Sequence, residues 1–295
     1  MKRNTLILVG LVIFLVLATL LVLRRPGEQS STTGSSGTLF TIDSLAVDKI
    51  VIKSPSARTM LEKHGIDWFI EEPIHYRADQ NNVATVIQQA KNMEVHGVVS
   101  SNPQKQSVFQ VDSTGTFVTM FEHGAEKANF IVGKASSSFT ETYVRKPSSN
   151  DVVLVDGTLG FSFNRALRDW RDRTVLATQR ETIREVRFQY GDTTFTLANK
   201  DSVWMVGKDS TDAGAVNSLL SQLANITADD FADSVSTAPK VASEITFAGN
   251  QLRFSFRKEL NKYFVQSSSS PQWFVFESWR ANELLKRKKD LVKKK

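Results

Sequence analysis

The sequence predicts an α+β protein in which one N-terminal transmembrane helix precedes two tandem repeats of antiparallel sheet with packed helices. Three observations predict it: an uncharged apolar run near the N-terminus, a pattern of apolar residues that occurs twice, and short strands without regular β–α–β alternation. The chain has 295 residues, of which 41% are hydrophobic and 23% charged. These values are ordinary for a globular protein and allow a sizeable core.

The apolar run extends from Thr5 to Leu23 without a charge. A helix of this length measures about 28 Å, which matches the hydrocarbon thickness of a bilayer. A cleaved signal peptide would have a shorter apolar core and a small-residue cleavage site, whereas this run leads directly into Arg24-Arg25-Pro26. We therefore expect residues 1–26 to form an uncleaved anchor that holds the chain in a lipid bilayer.

Residues 27–38, GEQSSTTGSSGT, contain no apolar side chain and are expected to form a flexible linker. Basic residues lie on both sides of the anchor, so the positive-inside rule does not orient it. Long domains translocate largely regardless of charge. We therefore expect a single-pass protein of the cytoplasmic (inner) membrane with its body on the periplasmic, extracytoplasmic side.

The net charge of +6 comes from the two ends of the chain. Four basic residues flank the anchor, and residues 286–295 hold seven more beside Asp290; the remainder has 26 basic and 30 acidic residues. A nucleic-acid partner is therefore not expected. Residues 286–295 are predicted to be a basic tail, either solvated or in contact with an anionic surface. The chain has no cysteine, which excludes disulfides and thiolate metal sites.

Two similar hairpins open the two repeats. Their matching residues are Ile50, Ile52 and Trp68 in the first and Val186, Phe188 and Trp204 in the second, at a constant shift of 136. An amphipathic helix follows in each repeat at a constant shift of 133. Asp79 precedes Val83, Val86, Ile87, Ala90 and Met93, and Asp212 precedes Val216, Leu219, Leu220, Leu223 and Ile226. This spacing places the apolar residues on one helix face.

Each repeat then continues into four short strands and a closing helix. The predicted strands are Phe117–Phe121, Ala128–Val132, Thr142–Arg145 and Val152–Val155, then Glu244–Phe247, Leu252–Arg257, Tyr263–Gln266 and Trp273–Phe276. The predicted closing helices are Gly160–Arg173 and Ser278–Lys289. The expected organisation is an anchor at 1–26, a linker at 27–38, repeat 1 at 39–178, repeat 2 at 179–285 and the tail at 286–295.

Several segments resemble the bacterial domain-of-unknown-function family 4340 (DUF4340). They are Ile50-x-Ile52, WFIEEP from Trp68, Arg77-Ala78-Asp79, IVGK at Ile131–Lys134, TYVR at Thr142–Arg145 and RDWRDRTVL at Arg168–Leu176. The resemblance implies a membrane-anchored bacterial protein related to auxiliary components of gliding-motility-type ABC transporters. It implies no reaction, since the family has no assigned catalytic residues.

The chemistry-bearing residues have simpler structural interpretations. His64, His75, His96 and His123 form no metal-binding sequence motif and are expected to be exposed surface residues. Asp79 and Asp212 are expected to be helix N-caps, although a duplicated acidic site is the alternative. Trp68 and Trp204 are expected in the core, with carbohydrate stacking as the alternative.

Serine runs and an alternating-charge stretch complete the candidates. Ser136–Ser138 and Ser267–Ser270 lack a nucleophile motif and are expected to be flexible loops. Arg168 to Arg173 is expected to be a solvated helix with pairs such as Arg168 with Asp172, or else a docking surface. The sequence predicts no catalytic residues, no metal ligands and no cofactor.

The sequence therefore favours a non-enzymatic accessory or interaction subunit of an ABC-transporter-like or envelope complex, with protein partners in the membrane. An extracytoplasmic glycan- or peptide-binding module, using exposed aromatic residues such as Trp273 and Trp279, is the alternative. A hydrolase whose site is assembled from loops is a third and weaker hypothesis.

Overall fold

The computed structural model describes residues 37–233 and 239–293, which fall into two compact units divided along the chain between Trp170 and Arg171. The predicted anchor at Thr5–Leu23 lies outside the described residues, as does nearly all of the linker. Within the described ranges, no helix combines the length and the apolar character needed to cross a bilayer.

Unit 1 is a nine-stranded sheet with helices on one face. Its elements are β1 Val47–Lys53, β2 Arg58–His64, β3 Asp67–Glu72, β4 Tyr76–Arg77, α1 Gln80–Lys91, β5 Val95–Ser100, β6 Thr116–Glu122, β7 Ala125–Ala135, β8 Glu141–Arg145, β9 Val152–Asp156, α2 Leu159–Phe163 and α3 Leu167–Trp170. The strand order is β4-β3-β2-β1-β6-β7-β8-β9-β5, and every neighbouring pair is antiparallel.

The main core of unit 1 lies between the sheet and its helices. The apolar stripe of α1 is buried, and Phe163 and Trp170 from the closing helices join the same cluster. Alternate residues of β1, such as Ile50 and Ile52, supply the sheet side because successive strand side chains point to opposite faces. Apolar residues with the helical period of about 3.6 residues therefore form the helix side of this core, and apolar residues with the strand period of 2 residues form its sheet side.

A second, smaller cluster covers part of the opposite sheet face. Val111, from the segment that follows a 3₁₀ helix at Pro103–Phe109, is buried there with Ile131 and Val152 of the sheet. Gly133 on β7 permits this close approach, because a Cβ atom there would collide with the carbonyl oxygen of Phe109. Both faces of the sheet are thus partly buried.

Unit 2 is a second nine-stranded sheet with a short separate two-stranded sheet. Its elements are β10 Thr174–Ala177, β11 Glu185–Tyr190, β12 Thr194–Lys200, β13 Val203–Val206, β14 Asp209–Ser210, α4 Ala213–Ala224, β15 Asn225–Thr227, β16 Asp230–Phe231, β17 Ser243–Phe247, β18 Asn250–Arg257, β19 Lys262–Ser267, β20 Trp273–Glu277, α5 Ser278–Leu284 and α6 Lys288–Leu291. Short 3₁₀ helices lie at Arg180–Thr182 and Lys258–Leu260.

The two large sheets share one strand order. In unit 2 it is β14-β13-β12-β11-β17-β18-β19-β20-β16, and the separate pair is β10-β15. In both sheets a hairpin series occupies one side, the four later strands follow, and a strand that comes after the long helix closes the far edge. This is the arrangement that a duplicated sequence pattern predicts, and each sheet is antiparallel as expected.

The same bonds join the long helix to the closing helix in each unit. In unit 1 the Asp79 carboxylate caps α1 by accepting from Asn82 N at 3.0 Å, and Asp79 N donates to Trp170 O at 2.7 Å. In unit 2 the Asp212 carboxylate accepts from Ala215 N at 2.8 Å, and Asp212 N donates to Leu291 O at 2.8 Å. The structure confirms both aspartates as N-caps.

The closing helices differ from their predicted form. Each is split in two, α2 with α3 and α5 with α6, so the single helices predicted at Gly160–Arg173 and Ser278–Lys289 are wrong. The helix in unit 1 ends at Trp170, so Asp172 lies outside it. Asp172 accepts from Thr174 N at 2.9 Å. The break allows the second short helix of each pair to reach the N-cap aspartate of the long helix.

The boundary between the two units and the role of the C-terminal segment also differ from the prediction. Unit 2 begins at Arg171, ahead of the expected boundary after residue 178, because β10 pairs with β15 of unit 2. Residues 286–293 of the predicted tail belong to the fold. Leu291 is fully buried, Val292 bridges to Thr211, and Lys293 N donates to Ser210 O at 3.1 Å.

We predict that Leu291→Ala destabilises unit 2 by about 2–5 kcal/mol, because it removes a fully buried side chain and leaves a cavity. Urea unfolding of the full-length chain, with hydrogen exchange of the unit 2 amides, measures this change. The exposed neighbour Lys289→Ala is the control and should change stability by less than about 0.5 kcal/mol. Equal, small effects of both substitutions would show that the C-terminal segment is outside the core.

Candidate functional site

Three of the four histidines lie in two clusters with carboxylates on unit 1. In the first cluster Glu71 on β3 joins two rings: His64 Nε2 lies 3.0 Å from Oε1, and His75 Nδ1 lies 3.0 Å from Oε2. Phe69 packs edge-on to His64 and is stacked with His75. The hydrogen bond from His75 is the main cause that lowers the pKa of Glu71.

The second cluster is formed by His96, Glu141 and Asp156. His96 Nδ1 lies 2.8 Å from Glu141 Oε1, and Nε2 lies 3.1 Å from Asp156 Oδ2. An ionised carboxylate can only accept hydrogen bonds, so the two contacts favour a ring that carries a proton on both nitrogens. The bond to Glu141 is accordingly the main cause that raises the pKa of His96.

Three adjacent strands bring this second cluster together. Glu141 begins β8 and lies directly opposite Asp156, the last residue of β9. His96 lies on β5, where the register with β9 shifts between Val95 and Gly97. Such a bulge re-aims a strand side chain, and bulges are enriched beside functional sites.

Hydroxyl groups lie beside the second cluster. Ser138 Oγ is 3.4 Å from Glu141 Oε2 and 2.9 Å from Thr140 Oγ1. The serine hydroxyl therefore faces a carboxylate, while both nitrogens of His96 are engaged with carboxylates. This is not the arrangement of a serine nucleophile with a histidine base. The three side chains of the second cluster are of the kinds that could hold a metal ion.

A shallow groove on unit 2 contains the most exposed tryptophan among the described residues. It has a volume of about 130 Å³ and is lined by Gln222, Asn225, Ile226, Phe276, Trp279, Arg280, Glu283 and Leu284. Trp279 is 68% exposed. Arg280, which also lines the groove, donates to Asp229 Oδ1 at 2.6 Å and to Thr227 O at 2.6 Å. The groove thus combines an exposed ring with anchored polar groups.

The other tryptophan predictions have mixed outcomes. Trp68 is buried, as expected of a core residue, whereas Trp204 is only half-buried. Trp273 on β20 is also half-buried, so Trp279 is the more exposed of the two aromatic residues proposed for ligand binding. Trp204 lies in a regular strand pair, opposite Asn199.

The serine runs are more ordered in their bonding than expected for loops. Ser136 and Ser267 are buried, and Ser267 ends β19. Ser136 Oγ lies 2.7 Å from Ser138 Oγ, and Ser267 Oγ lies 2.7 Å from Ser269 Oγ. Each run forms a hydroxyl-bonded turn at a strand end, which is a structural role.

Several cations of the predicted tail are paired within unit 2. Lys288 Nζ lies 2.7 Å from Asp209 Oδ2, and Arg287 Nη1 lies 3.1 Å from Asp192 Oδ1. The Arg287 guanidinium also stacks on Tyr190, whose hydroxyl donates to Lys286 O at 2.6 Å. Burial raises the pKa of Tyr190. These contacts reduce the positive charge that the segment presents to solvent.

Sequence reasoning missed both histidine–carboxylate clusters. The histidines are exposed, as predicted, but their partners come from other strands, up to 60 residues away for His96 and Asp156. The spacing of four residues between Glu71 and His75 was the only local signal. That spacing brings the two side chains together only because the chain bends at Pro73.

We predict that the Glu71 carboxyl titrates below its ordinary pKa of 4.5 and that His75→Gln moves the midpoint back toward that value. A lowered folded-state pKa stabilises the protein above about pH 4.5, and this contribution is lost as the pH falls through the folded-state value. Carboxyl-detected NMR titration measures the midpoint, with His123→Gln as the control. An unchanged midpoint in His75→Gln would refute the assignment.

Comparison with known proteins gives one match. Residues 68–248 match the family described as a domain of unknown function (DUF4340). The match begins at Trp68 and includes the segments at Arg77–Asp79, Ile131–Lys134, Thr142–Arg145 and Arg168–Leu176, while the Ile50-x-Ile52 opening precedes it. No curated protein and no solved structure matches the chain. The match covers more than half of the 295 residues of the chain. The chain therefore belongs to this family of domains of unknown function.

Proposed function

We propose that the chain is a single-pass, membrane-anchored extracytoplasmic protein that acts as a non-enzymatic interaction subunit of an ABC-transporter-like or envelope complex. The apolar run at Thr5–Leu23 supports membrane attachment, because its length suits a bilayer and it contains no charge. The resemblance to auxiliary transporter components supports the kind of complex. The duplicated sheet supplies a broad framework on which contact residues can be displayed.

One geometric observation carries the proposal: two exposed aromatic rings lie at the end of unit 1 where the chain arrives from the anchor. Gly37 O accepts from Val95 N at 3.1 Å, and Val95 is opposite Val155 near the end of β9. Gly157 N then donates to Thr140 O at 2.8 Å. These bonds place Gly37, the β7–β8 turn and the start of α2 at one end, here called the entry end.

Phe139 and Phe161 are the exposed aromatic residues of the entry end. They are 74% and 82% exposed, and they belong to the β7–β8 turn and to α2. Large apolar rings that face water are unfavourable in isolation and are frequent at protein contact sites. A partner held in the same membrane would meet this end of unit 1 first, because the linker joins it to the anchor.

The structural roles of the candidate catalytic residues support a non-enzymatic function. Asp79 and Asp212 cap helices, the serine runs form turns, and the rings of His64, His75 and His96 are bound to carboxylates. Nucleophilic catalysis needs a nucleophile within hydrogen-bond reach of its base. The exposed serine closest to a histidine cluster, Ser138, faces Glu141 instead.

Cysteine-specific crosslinking tests the proposal, because the chain contains no cysteine of its own. We expect Phe161→Cys in the full-length protein, labelled with a photoactivatable maleimide in native membranes, to form adducts with an integral membrane subunit of a transporter or envelope complex. Ile66→Cys is the matched control: it is 89% exposed but lies in the β2–β3 turn at the opposite end of unit 1. Its adduct yield should be at least several-fold lower.

The same variants report the membrane face. Both cysteines should react with a membrane-impermeant maleimide added outside intact spheroplasts. Protection of both until lysis would contradict the extracytoplasmic location. Equal adduct yields from both positions, or only free protein after crosslinking and mild detergent extraction, would contradict the interaction surface while leaving the anchor intact.

The groove at Trp279 favours a second candidate, an extracytoplasmic glycan- or peptide-binding module. An exposed indole beside polar groups suits stacking of a sugar ring or a peptide side chain. We predict that Trp279→Ala weakens retention on cell-wall glycan or peptide fractions by roughly tenfold, as expected for loss of a binding hot spot. Phe256→Ala, another exposed aromatic residue of unit 2, is the control. No retention of the wild-type chain on any fraction would eliminate this candidate.

A further inference from the structure

The side chains of His96, Glu141 and Asp156 have the composition of a transition-metal site. Each offers one ligand atom, and the three atoms lie within 4.8 Å of one another. They project from three neighbouring strands, which hold side chains more firmly than loops do. Imidazole and carboxylate together suit zinc and related first-row ions, whereas calcium and magnesium prefer oxygen ligands throughout.

We propose that this cluster binds a divalent zinc-class ion, with His96 Nε2 and Asp156 as direct ligands and Glu141 as the positioning residue. Binding releases the Nε2 proton to solvent, and the ion takes its place between the ring and the Asp156 carboxylate. Water completes the coordination shell. The proposal is independent of the membrane anchor and of any partner.

The unequal environments of the two carboxylates assign these roles. Glu141 is the closer to the ring, at 2.8 Å from Nδ1, and its side chain is only 21% exposed. Asp156 is 3.1 Å from Nε2, and its side chain is 57% exposed. Glu141 is therefore the better placed to hold the ring, while Asp156 is free to turn toward an incoming ion.

The Glu141 contact is the one that metal-binding histidines commonly make. A ligating histidine usually donates its other ring N–H to a carboxylate, which fixes the tautomer and orients the ring. Here the Nδ1–H would donate to Glu141, leaving Nε2 to the ion. Ser138 Oγ, at 3.4 Å from Glu141 Oε2, adds support to that carboxylate.

The distances require only a small rearrangement. Zinc binds histidine nitrogen at about 2.0–2.1 Å and carboxylate oxygen at about 2.0–2.2 Å, so tetrahedral neighbours are about 3.4 Å apart. The observed separation of 3.1 Å between Nε2 and Asp156 Oδ2 is close to this value. Half of the Asp156 side chain is accessible, which leaves an open path for the ion.

The Glu71 cluster provides the internal control. It also contains imidazole and carboxylate groups, but each of its rings meets a different oxygen of one carboxylate. Among the described residues, its members do not form a comparable three-residue group. A zinc ion taken up by exposed histidines in general would bind there equally well.

Isothermal titration calorimetry of the chelator-treated full-length protein with zinc chloride tests the proposal. We expect one site that magnesium chloride does not occupy at equal concentration. His96→Gln and Asp156→Asn should each abolish it, and Glu141→Gln should weaken it by about 10- to 100-fold, the range typical of an orienting carboxylate. The double variant His64→Gln/His75→Gln should bind as the wild type does.

Nitrogen-15 NMR of the histidine rings separates the positioning role of Glu141 from a general structural one. Zinc should shift the Nε2 resonance of His96 and leave its Nδ1 protonated; in Glu141→Gln the tautomer preference should be lost while circular dichroism stays native. Zinc binding that survives His96→Gln, or that disappears in the His64→Gln/His75→Gln variant, would overturn the proposal. So would a wild-type chain that binds no zinc.

Discussion

One backbone bond organises each unit: the amide of the N-cap aspartate donates to the last carbonyl of the closing helix. Asp79 meets Trp170 in this way, and Asp212 meets Leu291. The aspartate side chain caps the long helix, so a single residue fixes where that helix begins and where the closing segment ends. Since Trp170 and Leu291 are also fully buried, the bond is protected from water and holds both helical segments on the same sheet face.

The two units use this common framework for different surfaces. Unit 1 displays the histidine–carboxylate clusters and the exposed aromatic rings of the entry end, whereas unit 2 displays the groove at Trp279. The two sheets bury equivalent faces, so the residues that fill the cores are under the same packing constraint in both units. Turns and strand ends are free of that constraint, and it is there that the copies differ.

Local sequence patterns predicted the helices and strands, whereas the candidate sites depend on contacts between residues that are far apart in the sequence. The predicted strand Phe117–Phe121 lies within the observed Thr116–Glu122, and the N-caps at Asp79 and Asp212 are as expected, because alternation and capping are properties of neighbouring residues. The break in the closing helices was missed, since Leu285 to Arg287 carry no glycine or proline to mark it. The His96 cluster depends on strand register and a bulge, which composition does not reveal.

The position of Leu291 sets the order in which the chain can complete its folding during synthesis. Unit 1 has all of its core once Trp170 has emerged from the ribosome. The core of unit 2 is complete only when Leu291, far along the chain from Trp170, has also been added. Domains generally fold in order from the N-terminus. Unit 1 can therefore fold before unit 2, and a chain truncated before Leu291 should keep a folded first unit attached to an incomplete second one.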